Sequence, residues 1–289
     1  MDTLLIIADE KDQCCATPRG LELAAKLNLA VEIVAFSYSS MKGLGLTPDR
    51  EKALRQDVLR RREAAVQARI DKYRDPQQNV QLKSIWKKDI VGWVTKRCRA
   101  AHIRMVVKTG RRSETLLHTS SDWQLLRECS VPVLVVAEKR WHRTKPVLAA
   151  LDLTSTVRGK RALDRKVLAA ARNLAVALNT RLEVVAAIEV PALLSDLDLV
   201  DPHAYFNQAC EAIQPVMDKL AAEFDLPIKA FHRKRGPAEK VLVSEAARVR
   251  AQIVVMGTVA RKGVTAKLLG NTAEQVLQHM KTDVLAVKP

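Results

Sequence analysis

Short apolar runs rich in Val, Ile and Leu recur along the chain, and stretches with helical spacing lie between them. Runs of this length bounded by polar segments read as buried strands, and the longer amphipathic stretches as helices. In the first half the pattern predicts strands at 3–8, 31–36, 80–86, 105–108 and 133–137. The intervening helices fall at 17–27, 49–74, 90–101 and 122–128, the last capped by Ser121 or Asp122. The basic segment 138–146 (EKRWHRTKP) breaks the alternation and reads as a linker. The alternation then restarts, with strands at 146–153, 182–188, 228–232, 253–256 and 284–287. Helices are expected at 160–178, 203–224 (with a kink at Pro215), 237–249 and 272–279. Strands alternating with helices imply parallel sheets with right-handed crossovers.

The two halves also agree residue by residue. Asp9 and Asp152 each end a first strand, and Leu27-Asn28 and Leu178-Asn179 each precede a second one. Glu32 corresponds to Glu183, Val106-Val107 to Val254-Val255, and the run 133–136 to 284–287. The offset stays between 143 and 151, so the chain is a duplicated α/β domain rather than a solenoid. The boundaries are placed at 1–140 and 145–289.

Composition narrows the class. With 48% hydrophobic and 28% charged residues in 289, the chain is an ordinary globular one, and disorder is excluded. The N-terminal residues lack a basic region and a long apolar core, and no apolar run is long enough to cross a bilayer. Five cysteines without CxxC spacing are read as idle thiols of a reducing cytoplasm, the adjacent Cys14 and Cys15 being the one pair with redox potential. His102, His118, His142, His203, His232 and His279 show no metal-ligand spacing, so no metal is expected. No catalytic nucleophile signature is present.

The net charge of +16 is uneven: 27 Lys and Arg face 17 Asp and Glu before Thr144, a net of +10. That excess keeps a nucleic-acid or polyanion partner open. The stripe Arg55, Arg62, Arg69 and Lys72 on the long helix is read as a solvated face, and Trp86, Trp93, Trp123 and Trp141 as core or linker packing. Asp196, Asp198 and Asp201 in a Leu-rich loop are read as solvated acids, with a lid over the second-half cleft as the other reading.

The segment from Gly257-Thr258 through Ala260, Arg261, Lys262 and Gly263 to Gly270-Asn271-Thr272 carries the candidate chemistry. It runs from the carboxyl end of a strand to the start of a helix, where ligands of open α/β sheets bind. Glycines let backbone approach a phosphate, and a helix start favours anions. Asn271 or Thr272 is expected to cap that helix, with Glu274 completing the box. The other reading is an ordinary connection whose glycines only shape the turn.

This segment resembles the nucleotide motif of the universal stress protein family: Gly, two residues, Gly, nine residues, Gly, then Ser or Thr. Gly257 and Gly270 hold the first and third positions, Ala260 stands at the second Gly, and Asn271 replaces Ser or Thr. The whole length fits the tandem type of that family. The resemblance implies two Rossmann-like five-stranded domains related by a pseudo-two-fold axis, each with a parallel sheet. It implies a non-enzymatic cytoplasmic stress-response protein whose Asp152 contacts adenine. The site in the second domain is then degenerate, formed by Asp152, Gly257, Thr258, Arg261, Gly270, Asn271 and Thr272, with ATP as its ligand. Slow ATP hydrolysis is the alternative activity. In the first domain Lys108-Thr109-Gly110 and Asp122-Trp123 occupy the motif's place, so no nucleotide site is expected there. Pairing of the halves through 133–136 and 284–287, and further homodimerisation, also follow from the resemblance.

Overall fold

The computed structural model describes residues 1–9, 15–100, 102–110, 121–137, 145–191, 193, 199–258 and 271–289. They divide into two compact units, Met1–Glu138 and Lys139–Pro289.

The first unit runs β1 (Thr3–Ala8), α1 (Ala16–Lys26), β2 (Ala30–Ser37), α2 (Pro48–Tyr73), β3 (Val80–Trp86), α3 (Ile90–Ala100), β4 (Ile103–Thr109), α4 (Ser121–Glu128) and β5 (Val133–Val136). Its strands lie in the order β3-β2-β1-β4-β5, all parallel. The second unit runs β6 (Val147–Leu151), α5 (Arg158–Ala177), β7 (Leu182–Ile188), α6 (Pro202–Glu223), β8 (Phe231–Arg235), α7 (Ala238–Arg248), β9 (Ile253–Gly257), α8 (Asn271–His279) and β10 (Asp283–Val287). Its order is β10-β9-β6-β7-β8, again parallel, so the topology repeats.

The central strands are near-continuous apolar runs because helices cover both faces of a parallel sheet. Leu4, Leu5 and Ile6 of β1 and Ile253, Val254 and Val255 of β9 are fully buried. The repeated Leu-Asn pair has a physical reason. Asn28 and Asn179 sit just past α1 and α5 with φ of 53° and 49°. Leu29 N–H bonds Ala24 O at 2.9 Å, and Thr180 N–H bonds Ala175 O at 2.9 Å. These are left-handed helix stops of the Schellman kind, and Asn tolerates that conformation better than most residues.

Helix starts are set by Thr47-Pro48 and Asp201-Pro202. Thr47 Oγ1 accepts from Arg50 N, and Asp201 accepts from His203 N (3.0 Å) and Ala204 N (3.3 Å). Asp201 is therefore the N-cap of α6 rather than a free loop acid. Asp196 and Asp198 lie outside the described residues, as do Cys14, Trp141 and the linker 138–144. The strand expected at 228–232 begins at Phe231, because a 3-10 turn, Ile228–Ala230, closes with Ala230 N–H on Pro227 O at 2.9 Å. Ser121 and Asp122 fall inside the first turn of α4 instead of before it.

One polar cluster recurs in both units with different chemistry. Glu32 on β2 is buried and held by Lys83 of β3 (2.8 Å) and by both oxygens on Arg97 of α3 (2.6–3.1 Å). Burial alone would raise its pKa, but the hydrogen bonds and charges of Arg97 and Lys83 outweigh it and hold the carboxyl below its usual range. In the second unit Glu183 bonds His232 at 2.8 Å in the equivalent register. Two buried thiols, Cys98 and Cys129, lie 3.7 Å apart. The hydrogen bond with Cys129, reinforced by burial, pushes the Cys98 thiol up, so it stays protonated and unreactive.

Candidate functional site

In the second unit β6 leads to β7 on one side and lies beside β9 on the other, so the strand order reverses between β6 and β9. Ligands of open α/β sheets bind outside the carboxyl ends of strands at such a switch point. Ala150 pairs with Met256, so Asp152 and Gly257 emerge close together at that edge.

Asp152 follows β6 and keeps a carboxylate that is 44% exposed. Lys160, in the first turns of α5, reaches Oδ2 at 2.8 Å, and Thr154 Oγ1 donates to Oδ1 at 3.1 Å. The turn closes through Ser155 N–H on Asp152 O at 3.3 Å. Beneath it lies a second carboxyl, Asp164 of α5, only 7% exposed. Its Oδ1 accepts the Asp152 N–H at 3.0 Å. Burial pushes the Asp164 pKa up to about 6, and the nearby Asp152 charge adds to that; the bond from Asp152 N–H, Lys160 and Arg165 pull the other way. An exposed acceptor is thus fixed in place by a buried one.

The strand end opposite is shaped by packing. A Cβ on Gly257 would lie 2.6 Å from Leu163 Cδ2 and 2.9 Å from Leu163 Cγ. Gly257 is required so that α5 can approach the end of β9. Thr258 departs from expectation. Its N–H bonds Val287 O at 2.8 Å, its hydroxyl bonds the same oxygen at 3.4 Å, and it is 2% exposed. Both donors are spent on the ladder to β10, so Thr258 offers nothing to an anion. Asn271 and Thr272 stand in the first turn of α8, not at its cap, and Thr272 is exposed. Arg261 and Gly270 lie outside the described residues, together with the rest of 259–270.

The same edge in the first unit is built differently. Thr109 ends β4 where Gly257 ends β9, and its Oγ1 accepts the Ala16 N–H at the start of α1 at 3.0 Å. Arg62 of α2 donates to Ala8 O at 3.1 Å and to Asp9 O. Arg62 therefore belongs to the strand end and not to a solvated stripe. Arg55 of the same stripe lies over the Trp86 ring, its guanidinium 5.3 Å from the centroid. Trp93, half-buried, packs edge-on against buried Phe36 at 5.4 Å.

Sequence reasoning missed Lys160, Thr154 and Asp164. The signal for Asp164 was available: it falls on the face of α5 that carries Leu163, Val167, Leu168 and Ala171, all buried. A carboxyl within an apolar stripe marks a polar partner beneath. Among the described residues no group of His, Cys, Asp and Glu could hold a metal ion, and no helix is long and apolar enough to cross a membrane.

Two five-stranded parallel units of one topology, each with an aspartate following its first strand, define the class of α/β proteins with the universal stress fold. The chain belongs to the universal stress protein family, whose family model matches residues 144–288. It is similar to universal stress protein E of Salmonella typhi, with 31% identity over 296 residues covering 99% of this chain and 93% of the relative. The Escherichia coli protein of the same name is 30% identical over the same shares. Among solved structures, a functionally unknown protein from Pseudomonas aeruginosa has a TM-score of 0.70 at 23% identity, covering 100% of this chain and 93% of that one. A universal stress protein from Archaeoglobus fulgidus has a TM-score of 0.65 at 15% identity, covering 99% and 98%. These likenesses extend the fold across both units.

Proposed function

We propose that the protein is a non-catalytic stress-response protein of the cytoplasm that holds an adenine nucleotide, ATP or a close relative, at the switch-point edge of its second unit. The observation that carries this reading is the exposed Asp152 carboxylate at the end of β6, beside the side-chain-free end of β9. A carboxylate acceptor at that position suits the exocyclic amino group of adenine, which is the role the family resemblance implies. The residues present fit the base end of such a ligand. Gly257, Arg261, Gly270, Asn271 and Thr272 belong to the segment that would meet the phosphates.

The absence of turnover is supported by how the two carboxyls are used. Asp152 is tied to Lys160 and Thr154, and Asp164 accepts a backbone N–H, so each is engaged in holding the turn. Isothermal titration of the full chain with ATP tests the reading. Binding that weakens about tenfold or more in Asp152→Ala supports it, since a hydrogen bond to a charged group contributes roughly 1.5–3 kcal/mol. Absence of ATP binding, or binding indifferent to Asp152→Ala, refutes it. Steady release of phosphate above buffer controls would favour slow hydrolysis instead.

A further inference from the structure

The carboxyl ends of β2 and β3 carry an aromatic and cationic cluster that the nucleotide reading does not use. Ser37 pairs with Trp86, and the ladder continues through Lys87 N–H on Ser37 O at 3.0 Å. Tyr38, the next residue, is 48% exposed, and its ring lies 6.1 Å from that of half-buried Trp86 at a tilt of 52°. Arg55 covers Trp86 at 5.3 Å, and Lys88 Nζ stands 5.9 Å from the Tyr38 centroid. Lys87 and Lys88 are exposed. The acids nearby are already committed: Asp89 accepts Gly92 N–H at 2.8 Å at the start of α3, and Glu51 pairs with Arg55 at 3.9 Å. The surrounding half of the chain carries a net charge of +10.

We infer that this cluster binds single-stranded nucleic acid, with bases stacked on Tyr38 and on the Arg55 plane that covers Trp86, and phosphates held by Lys87 and Lys88. Aromatic faces combined with flanking cations are the general device for holding unpaired strands, because every base offers a π-face. A polyanion without bases would use the cations and leave the rings idle.

The test uses the full chain and a fluorescein-labelled oligothymidine of roughly 12 nucleotides, within the range one platform covers. Fluorescence anisotropy should show binding whose log affinity falls against log salt with a slope of about −1.4, for two phosphate contacts on a single strand. Tyr38→Ala should weaken binding about tenfold, Tyr38→Phe should restore it, and Lys88→Ala should reduce the slope by about 0.7. Tyr38 is half exposed, so its removal leaves the fold intact; Trp86→Phe, which keeps a ring, serves as the second variant. Competition with heparin separates the sources of affinity. The inference fails if the oligonucleotide does not bind. It fails equally if heparin and oligonucleotide are held alike and Tyr38→Ala changes neither.

Discussion

The two units share one topology but finish the carboxyl edge of the sheet in opposite ways. In the first, a threonine hydroxyl on β4 receives the leading amide of α1, and Arg62 reaches across from α2 to the carbonyls of Ala8 and Asp9. The backbone carbonyls and the helix amide at that edge are satisfied from within. In the second, Gly257 stands in the threonine's place with Leu163 packed against it, and the Asp152 carboxylate, though held by Lys160 and Thr154, remains 44% exposed. A duplicated fold thus supplies the same ends of the same strands, and the side chains placed there decide whether the edge is closed or available. Backbone geometry sets the location, and the choice of donors sets the use.

Several substitutions would break or sharpen that contrast. The largest effect concerns Asp164, the buried support beneath Asp152. Its folded pKa of about 6 exceeds the ordinary value of 3.8, so the folded state binds more protons between those values and stability falls as pH rises through that window. Asp164→Asn keeps an acceptor and removes the charge. Its stability relative to the parent should therefore rise by about 3 kcal/mol between pH 4 and pH 7, two units at 1.36 kcal/mol each, as read by urea unfolding. A flat difference across that range would show that Asp164 ionises without cost.

Next is the first unit's buried pair. Arg97→Ala leaves Glu32, whose side chain is 3% exposed, with Lys83 alone, and should destabilise that unit by about 2 kcal/mol. The figure lies below that for a fully buried pair because Arg97 itself is 33% exposed. Hydrogen exchange of β2 amides is the measurement, with His232→Ala, which leaves the more exposed Glu183, expected to cost about 1 kcal/mol or less. Gly257→Val forces Leu163 aside and should cost about 1–2 kcal/mol by thermal unfolding, whereas a neutral outcome would mean the strand end is not tightly covered. Smallest is Thr109→Val, which removes the acceptor for Ala16 N–H and should lower stability by about 1 kcal/mol. If Thr109→Val has no effect, the first unit's edge is not closed by that bond.

Much of the architecture was legible in the sequence, for identifiable reasons. The apolar run 182–188 matches β7 because both faces of an inner parallel strand are buried, whereas 80–86 was legible from its alternation, since β3 is an edge strand and only partly covered. The repeated Leu-Asn pairs exposed the duplication because a left-handed helix stop restricts its residue. The site was harder. Arg55, Arg62 and Arg69 share a heptad spacing, and spacing does not say which of them meets a strand end and which an aromatic ring. Thr258 looked available beside a glycine, yet a residue one step past a strand still takes part in its ladder. Asp201 could have been recognised from Asp-Pro preceding a helix, a capping signal that the reading of a loop of acids obscured.

The central claim is that a ligand edge survives in the second unit and is closed in the first. Hydrogen exchange of the full chain with and without saturating ATP tests it most directly. The account predicts slowed exchange along β6, the Asp152 turn and the first turns of α5, with β1 and α1 unchanged. Protection appearing at the Ala8–Asp9 end of β1, or at neither unit, would contradict it.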